Sequence, residues 1–398
     1  METVRIYRLD HLPRVLAARL RDAQMEAARV WTLCRDLHQA ARHHQLPWPT
    51  RDDLQKATKG RFALHSQTVQ MICHAFLANV QTTRLVKPQN PQMRYPYKDK
   101  RFYPLLWPAQ AVSIERGRLV LPMGRGRASI VLPVDVPEDA GACQIVWKDG
   151  YELHVAIPTA QAAERLGAVH ATVDLGEIHQ GAVTTNTGGA LVVSGRGLRS
   201  LKRRQNRAHG QLARKRSRCH HGSRRWRKLQ RARRKVSARI QRQVRDLRHK
   251  GTRKVVHFCQ TQQVGVLYIG NPHGVRNRPA GRHHHQRMAQ WEYGKDIDYL
   301  TRKCEQSRIM SFTGTERGTS SQCPACGRHQ RPRGREWVCR HRECHFRGHR
   351  DVVGSINMHP IAYGEKVAFP QRITYLRPGP VRVSRWNEEP RGVGRAGT

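Results

Sequence analysis

Acidic residues are scarce in this chain of 398 residues. It contains 29 Asp and Glu against 73 Lys and Arg, which gives a formal net charge of +44 at pH 7. Such an imbalance makes an isolated globule repel itself, so we expect a polyanionic partner. Nucleic acid is the first candidate because neutralising its phosphates releases counterions, and an acidic membrane surface is the alternative.

Long apolar runs are absent as well. No stretch approaches the roughly 20 apolar residues of a membrane-spanning helix, and the N-terminal METVRIYRLDHLPR lacks the apolar core of a secretory signal. Six of the ten cysteines are scattered singly, which does not suggest a disulfide framework. We therefore predict a cytoplasmic protein in a reducing compartment, without a membrane partner.

The first half of the chain changes its pattern at Pro88. Residues 13–46 and 66–86 carry apolar residues at helical spacing, which predicts two helices. Residues 88–158 form short alternating runs broken by Pro, Gly and Asn. That pattern is typical of a β-barrel or a small sheet.

A very basic segment follows three predicted strands. The strands are expected at residues 168–174, 181–185 and 190–194, joined by tight polar turns, as an RNase H-like sheet begins. Residues 199–254 then hold 24 Lys or Arg and one acidic residue, with apolar residues every three or four positions. We predict a basic amphipathic helix that contacts phosphates, the alternative being a solvated charged helix.

The remaining pattern predicts further strands and then a tail. Residues 264–269 (VGVLYI) suit a buried central strand, residues 291–305 are helical in pattern and residues 308–312 are strand-like. Few apolar residues follow Met358. We therefore predict that residues 363–398 form a flexible tail.

Four cysteines lie close together in SQCPACGRHQRPRGREWVCRHRECHF, namely Cys323, Cys326, Cys339 and Cys344. Zinc takes four thiolate or imidazole ligands in a tetrahedron, and a CxxC pair lets two sulfurs reach one ion. The second pair is wider than CxxC, so His341 and His345 are alternative ligands. We predict a zinc ribbon at residues 317–345 with an all-cysteine structural site, which leaves zinc no open position for catalysis.

Two aspartates stand near predicted strand and helix ends. Asp174 lies in TVDLG, and Asp351 lies in HRDVVGSINM just after the cysteines. Polynucleotide hydrolysis needs carboxylates that hold one or two divalent ions. A turn residue at Asp174 and a helix cap at Asp351 are the alternatives, but the order of the two motifs around the ribbon favours a functional pair.

The chain resembles the TnpB proteins of insertion sequences, which are ancestral to type V CRISPR effectors. The resemblance rests on VDLG at 173–176, RDLRHKGTRKVV at 245–256, TSSQCPACG at 319–327 and HRDVVGSINM at 349–358, in the family's order. It implies an RNA-guided DNA endonuclease: a guide RNA from the transposon end pairs with double-stranded target DNA, and a RuvC-type site cuts.

The resemblance also implies an α/β multi-domain architecture. Its parts are a wedge-like β-barrel at residues 1–12 and 88–165, a helical recognition insert at 13–87, a RuvC-like RNase H fold at 166–316 and 346–362 with its basic helical insert at 199–254, the ribbon and the tail.

One position departs from the family's pattern. Relatives end the central strand with a glutamate, in a motif resembling IEDL, that is the middle carboxylate of the RuvC triad, whereas here LYIGNPHGV places Gly270 there. We predict that Glu316 replaces it and holds magnesium with Asp174 and Asp351, with Glu292 as the next candidate. If the strands at 264–269 and 308–312 are parallel, both end at one sheet edge.

Other functions are possible without cleavage. A nuclease-dead relative would keep guide and target binding and act as a repressor by occupying DNA. A plain RNA-binding zinc-ribbon protein is a third possibility, against which the aspartate motifs argue. A transposase is disfavoured because no HUH pair with a catalytic tyrosine is evident, and we interpret His283, His284 and His285 as a surface cluster in a basic loop.

Overall fold

A computed structural model of the protein describes residues 2–159, 167–275 and 281–379. The chain divides into two compact units, residues 1–160 and residues 161–398. The described residues form nine α-helices and fifteen β-strands. None of these helices is both long and apolar enough to span a membrane.

The N-terminal unit combines helices with two antiparallel sheets. Its helices are α1 (Arg14–His43), α2 (Arg51–Thr58) and α3 (Ser66–Val86). Its strands are β1 (Glu2–Leu9), β2 (Leu105–Trp107), β3 (Ser113–Glu115), β4 (Arg118–Leu121), β5 (Ile130–Leu132), β6 (Cys143–Trp147) and β7 (Tyr151–Pro158). One sheet has the order β1-β7-β6-β2 and the other the order β3-β4-β5.

Apolar periodicity accounts for the two long helices of this unit. Trp31 of α1 and Phe76 of α3 are buried and meet edge to face, with ring centroids 5.2 Å apart, so the predicted helices are confirmed. Helix α2 was not predicted, because two prolines precede it. The Thr50 side chain and the Asp53 carboxylate form a reciprocal capping box that starts α2.

The C-terminal unit contains a six-stranded sheet and a small two-stranded one. Its helices are α4 (Arg196–Ser217), α5 (Arg224–Thr261), α6 (Arg282–Gln290), α7 (Tyr293–Gln306), α8 (Arg350–Ile356) and α9 (His359–Tyr363). Its strands are β8 (Val169–Asp174), β9 (His179–Thr185), β10 (Ala190–Ser194), β11 (Val264–Asn271), β12 (Met310–Thr315), β13 (Glu336–Val338), β14 (Arg347–His349) and β15 (Thr374–Leu376).

The large sheet has the strand order β12-β11-β8-β9-β10-β15. Strands β8, β9 and β10 are antiparallel, whereas β11 is parallel to both β8 and β12. The parallel pairing of β11 with β12 meets the condition on which the choice of Glu316 depended. Val173 and Ile269 pack against apolar residues of α5 and α7 on one face. On the other face the Thr172 hydroxyl donates a 2.6 Å hydrogen bond to the Ser355 carbonyl of α8. Helices therefore cover both faces, as parallel strands require.

The basic segment forms two helices rather than the single helix that we predicted. The chain turns between α4 and α5, where Gly222 has a φ of +79°. The Ser223 hydroxyl then accepts a 3.2 Å hydrogen bond from the Trp226 N–H and caps α5. Helix α4 buries no residue, and α5 buries residues only from Ile240 onward. The first part of this helical pair is therefore exposed and basic.

The structure also differs from the predicted tail at residues 363–398. Strand β15 pairs in parallel with β10 at the edge of the large sheet. Although apolar residues are few here, Phe369, Ile373 and Leu376 pack against the cores on the two faces of the sheet. Residues 380–398 of the predicted tail lie outside the described residues.

Candidate functional site

The three carboxylates predicted from the sequence line one cavity of about 1080 Å³. Asp174 ends β8 and Glu316 directly follows β12, while β11 lies between these two strands. Asp351 lies in the first turn of α8, which packs over β8. The carboxyl ends of neighbouring parallel strands meet at one sheet edge, which explains why Asp174 and Glu316 come together.

Gly270 lies on β11, in the position between these two side chains. A Cβ atom at residue 270 would lie 2.8 Å from Oε2 of Glu316 and 2.8 Å from Sδ of Met358. Both distances are shorter than ordinary van der Waals contacts. The Glu316 carboxylate therefore fills space that a side chain at position 270 would need.

Helix α8 closes tightly over Asp174. A Cβ atom at Gly354 would lie only 2.2 Å from Oδ2 of Asp174, so the close approach of α8 to β8 requires glycine there. Burial, followed by the negative charges of Glu316 and Asp351, raises the pKa of Asp174 well above its ordinary value. A divalent cation between these groups would offset both effects.

The pKa of Asp351 shifts in the opposite direction, below its ordinary value. Burial alone raises its pKa, but the hydrogen bond from His179 and the positive charges of His349 and Arg335 outweigh burial and lower the pKa of Asp351. Nδ1 of His179 lies 2.6 Å from Oδ2 of Asp351, and Nη1 of Arg335 lies 3.4 Å from it. The pKa values of the two aspartates therefore shift in opposite directions because their neighbours differ.

The four predicted cysteine ligands form a second cluster, whose sulfur atoms all lie within 4.8 Å of one another. Sγ of Cys323 lies 3.6 Å from Sγ of Cys344, and Sγ of Cys326 lies 3.7 Å from Sγ of Cys339. Zn–S bonds of about 2.3 Å in a tetrahedron place sulfurs roughly 3.8 Å apart. The cluster could hold zinc. Among the residues that the structure describes, it consists of four cysteines and contains no histidine.

Two family models match the chain. The OrfB_IS605 model, described as a probable transposase, matches residues 134–276, which include Asp174 and Gly270. The TNB domain model, described as Cas12f1-like, matches residues 293–358, which include the cysteine cluster and Asp351.

The fold of the chain is similar to that of solved effector complexes. A cryo-EM structure of the Cas12f1-sgRNA-target DNA complex aligns with a TM-score of 0.62 and 12% identity, covering 87% of this chain and 83% of that chain. The two family models and this likeness of fold support a TnpB-like family protein. A CRISPR-Cas12f ternary complex aligns with a TM-score of 0.41 and 12% identity, over 87% and 81% of the two chains. No curated protein sequence matches significantly.

Two histidines beside the candidate site were not predicted from the sequence. His179 begins β9 and His349 ends β14, and both lie beside Asp351. The HRD sequence could have drawn attention to His349. His179 offered no local signal, because it meets Asp351 across 172 positions of the chain.

Arginines lie beside the acidic residues on the lining of the cavity. Those on its lining are Arg287, Arg317, Arg335 and Arg350. Guanidinium groups attract phosphates and can hold them with paired hydrogen bonds. The cavity thus combines a cluster of carboxylates with a rim suited to a polyanion.

Glu292, the second candidate for the missing carboxylate, does not line this cavity. Oε2 of Glu292 lies 3.3 Å from Nζ of Lys202 and 3.2 Å from Nη1 of Arg248. Although burial alone raises its pKa, the Lys295 hydrogen bond and these two charges lower the pKa of Glu292 to about 2. It therefore belongs to an ion-pair network that links α4 and α5 to the residue preceding α7.

The three consecutive histidines lie in a different structural element from the predicted basic loop. His283, His284 and His285 lie on α6 rather than in a loop. The first and third are exposed, and the described residues form no metal-ligand group there. This agrees with a surface cluster.

Proposed function

We propose that this protein binds DNA under the guidance of an RNA and cuts it at a rearranged RuvC-type site. The observation that carries the proposal is the position of Glu316. Its carboxylate occupies the space beside Gly270, which is where the resemblance to TnpB proteins expects a glutamate. A relocated carboxylate would restore the triad with Asp174 and Asp351.

The donor set fits magnesium. Carboxylate oxygens are the ligands that magnesium prefers. Burial and then the negative charges of Glu316 and Asp351 raise the pKa of Asp174, and a divalent cation would offset both effects. Asp174, Glu316 and Asp351 would hold the ion. When bound, magnesium activates water and stabilises the leaving oxygen of a phosphodiester. Arg335 and Arg350 would orient the phosphate at the cavity.

The basic helical pair supports the nucleic-acid part of the proposal. Helix α4 and the portion of α5 before Ile240 bury no residues. Arg199 and Lys202 form ion pairs with Glu177 and Glu292, and the many other Lys and Arg side chains of this segment would face phosphates. The structurally similar Cas12f1 complex contains sgRNA and target DNA. A guide RNA and double-stranded target DNA are accordingly the proposed partners, read mainly through backbone geometry.

The ribbon would position the cutting site rather than take part in cutting. Val353 of α8 packs with Cys323, Cys339 and Trp337 of the ribbon. The Asn357 amide donates 2.7 Å hydrogen bonds to the carbonyls of residues 319 and 322. Zinc would hold the ribbon and, through it, the helix that carries the third carboxylate. The N-terminal unit would supply the wedge-like barrel and its recognition insert.

The decisive experiment measures magnesium-dependent cleavage of a matched plasmid by the protein copurified with its own RNA. Asp174→Ala and Glu316→Ala are both expected to abolish cleavage while RNA binding persists. Glu305→Ala is the matched control, because Glu305 is exposed near the far end of α7 and should not matter.

Two other outcomes would change the proposal. If Asp174→Ala abolished cleavage and Glu316→Ala did not, Glu316 could not be the replacing ligand. If the wild type bound DNA tightly only with its RNA and did not cut, the protein would instead be a nuclease-dead repressor. That second function keeps the basic helices and the ribbon but needs no metal at the carboxylates.

A further inference from the structure

Two histidines stand beside Asp351 in an arrangement that the proposed cleavage site does not use. Candidate ligand atoms of His179, His349 and Asp351 all lie within 4.8 Å of one another. Nδ1 of His179 lies 2.6 Å from Oδ2 of Asp351, and the two imidazole centroids are 5.0 Å apart. The three side chains, which we call the histidine trio, are close enough to share one ion.

Regular elements hold the trio in place. His179 belongs to β9 in the interior of the large sheet, His349 to β14 and Asp351 to α8, which packs against both strands. The side chains of His179 and Asp351 are only 10% and 18% exposed. Ligands carried by packed elements keep their geometry better than ligands on loops.

His349 has a ring nitrogen to offer. Its Nδ1 atom is buried and makes no hydrogen bond within the described part of the chain. A buried polar atom without a partner is uncommon and costs free energy. Ligation of a metal ion would satisfy this atom.

The charges around the trio are mixed. Arg335 lies 3.4 Å from Asp351, but its side chain is 44% exposed and can turn into solvent. Asp174 and Glu316 line the same cavity and add negative charge. A cation at the trio would therefore lie in a cavity that also holds two further carboxylates and a movable guanidinium.

We propose that His179, His349 and Asp351 bind a divalent transition-metal ion, at a site joined to the carboxylate triad through Asp351. Imidazole nitrogen suits first-row transition ions, whereas magnesium prefers oxygen ligands. Two imidazoles and one carboxylate leave open positions for water or a phosphate oxygen. Any part that this ion takes in cleavage rests on the proposed function, whereas its binding does not.

Mn²⁺ is the probe, because its pulsed electron paramagnetic resonance spectrum reports directly coordinated nitrogen. The full-length, zinc-loaded chain, freed of nucleic acid, is titrated with Mn²⁺. We expect nitrogen modulation in the wild type and its loss in the combined His179→Asn and His349→Asn variant. Affinity for Mn²⁺ should fall by at least about tenfold, while affinity for Mg²⁺ changes little.

The matched control is His273→Asn. His273 is exposed and lines the same cavity but lies outside the trio, so this variant should keep the nitrogen signal. Loss of the signal in this control would overturn the assignment to the trio.

The wild-type spectrum alone can overturn the inference, even where a variant fails to fold. No nitrogen modulation in the wild type would overturn the histidine trio as a metal site. Modulation without any cleavage would support the trio and argue against the proposed nuclease. Cleavage with Mg²⁺ but no nitrogen modulation would support the proposed nuclease and exclude the histidine trio as a metal site.

Discussion

The cysteine cluster and the carboxylate cavity are assembled over very different distances along the chain. Cys323 and Cys344 are 21 positions apart, and one short ribbon brings their sulfurs together. Asp174 and Asp351 are 177 positions apart and meet only because α8 packs over β8. The first site depends on local turns, whereas the second depends on the entire sheet. Substitutions should therefore damage the two sites in different ways.

The largest effect is expected at the ribbon. Cys339→Ser removes one of four thiolates, and zinc binding contributes on the order of 10 kcal/mol to the folding of such small domains. We expect the bound zinc to fall from about one ion per chain to almost none, with cleavage lost because α8 is no longer held.

Elemental analysis of the purified variant tests this, with Cys219→Ser as the control. Cys219 lies outside the cluster, so its substitution should leave zinc unchanged. Full zinc occupancy in Cys339→Ser would contradict the four-cysteine site.

The next largest effect is expected from a substitution in the cavity that leaves all three carboxylate residues in place. In Gly270→Ala the added methyl group meets Glu316 and Met358 at 2.8 Å, so the Glu316 carboxylate must shift. We expect cleavage to slow by about 10- to 100-fold, as when metal ligands lose their support, while RNA binding stays unchanged. Single-turnover cleavage rates provide the measurement.

Gly294→Ala is the matched glycine control for this comparison. No atom lies within 4 Å of a Cβ at position 294, so this variant should cut at the wild-type rate. Equal rates for both alanine variants would mean that Glu316 does not need its observed position.

A smaller effect is expected on the pH dependence of the free energy of unfolding, through Asp174. The folded-state pKa of Asp174 is raised, so in zinc-loaded protein without Mg²⁺ the free energy of unfolding should fall as pH rises above about 4. Asp174→Asn cannot ionise and should melt at a higher temperature than the wild type at pH 8.

Thermal denaturation at pH 4 and pH 8 measures this difference, which should narrow at the lower pH. Mg²⁺ should also narrow it at pH 8 by stabilising the wild type. If the melting temperatures of the wild type and the Asp174→Asn variant differed by the same amount at both pH values, ionisation of Asp174 would not destabilise the fold.

The smallest expected effect separates the cysteines from their neighbouring histidines. Neither His341 nor His345 belongs to the cluster of sulfur atoms. We expect His341→Ala and His345→Ala to keep full zinc, measured beside Cys344→Ala, which should lose it. Zinc loss in either histidine variant would favour a site in which that histidine is a zinc ligand together with cysteines.

Strong local patterns accounted for most of the predicted fold. Helix α1 and strand β11 were predicted because their apolar residues fill a core with a regular period. The break before α5 was missed, although Gly222 and Ser223 are typical of a helix stop and a helix start. Strand β15 was missed because three residues at a sheet edge carry too little pattern to be recognised.

The excess of positive charge, the cysteine ligands and both aspartates could be recognised from the chain, because charge is additive and these motifs are short. The approach of Glu316 to Gly270 was predicted only by assuming parallel strands. The contact of His179 with Asp351 was not predicted at all. Strand order and helix packing create such contacts between residues far apart in sequence, and no local pattern encodes which strands become neighbours.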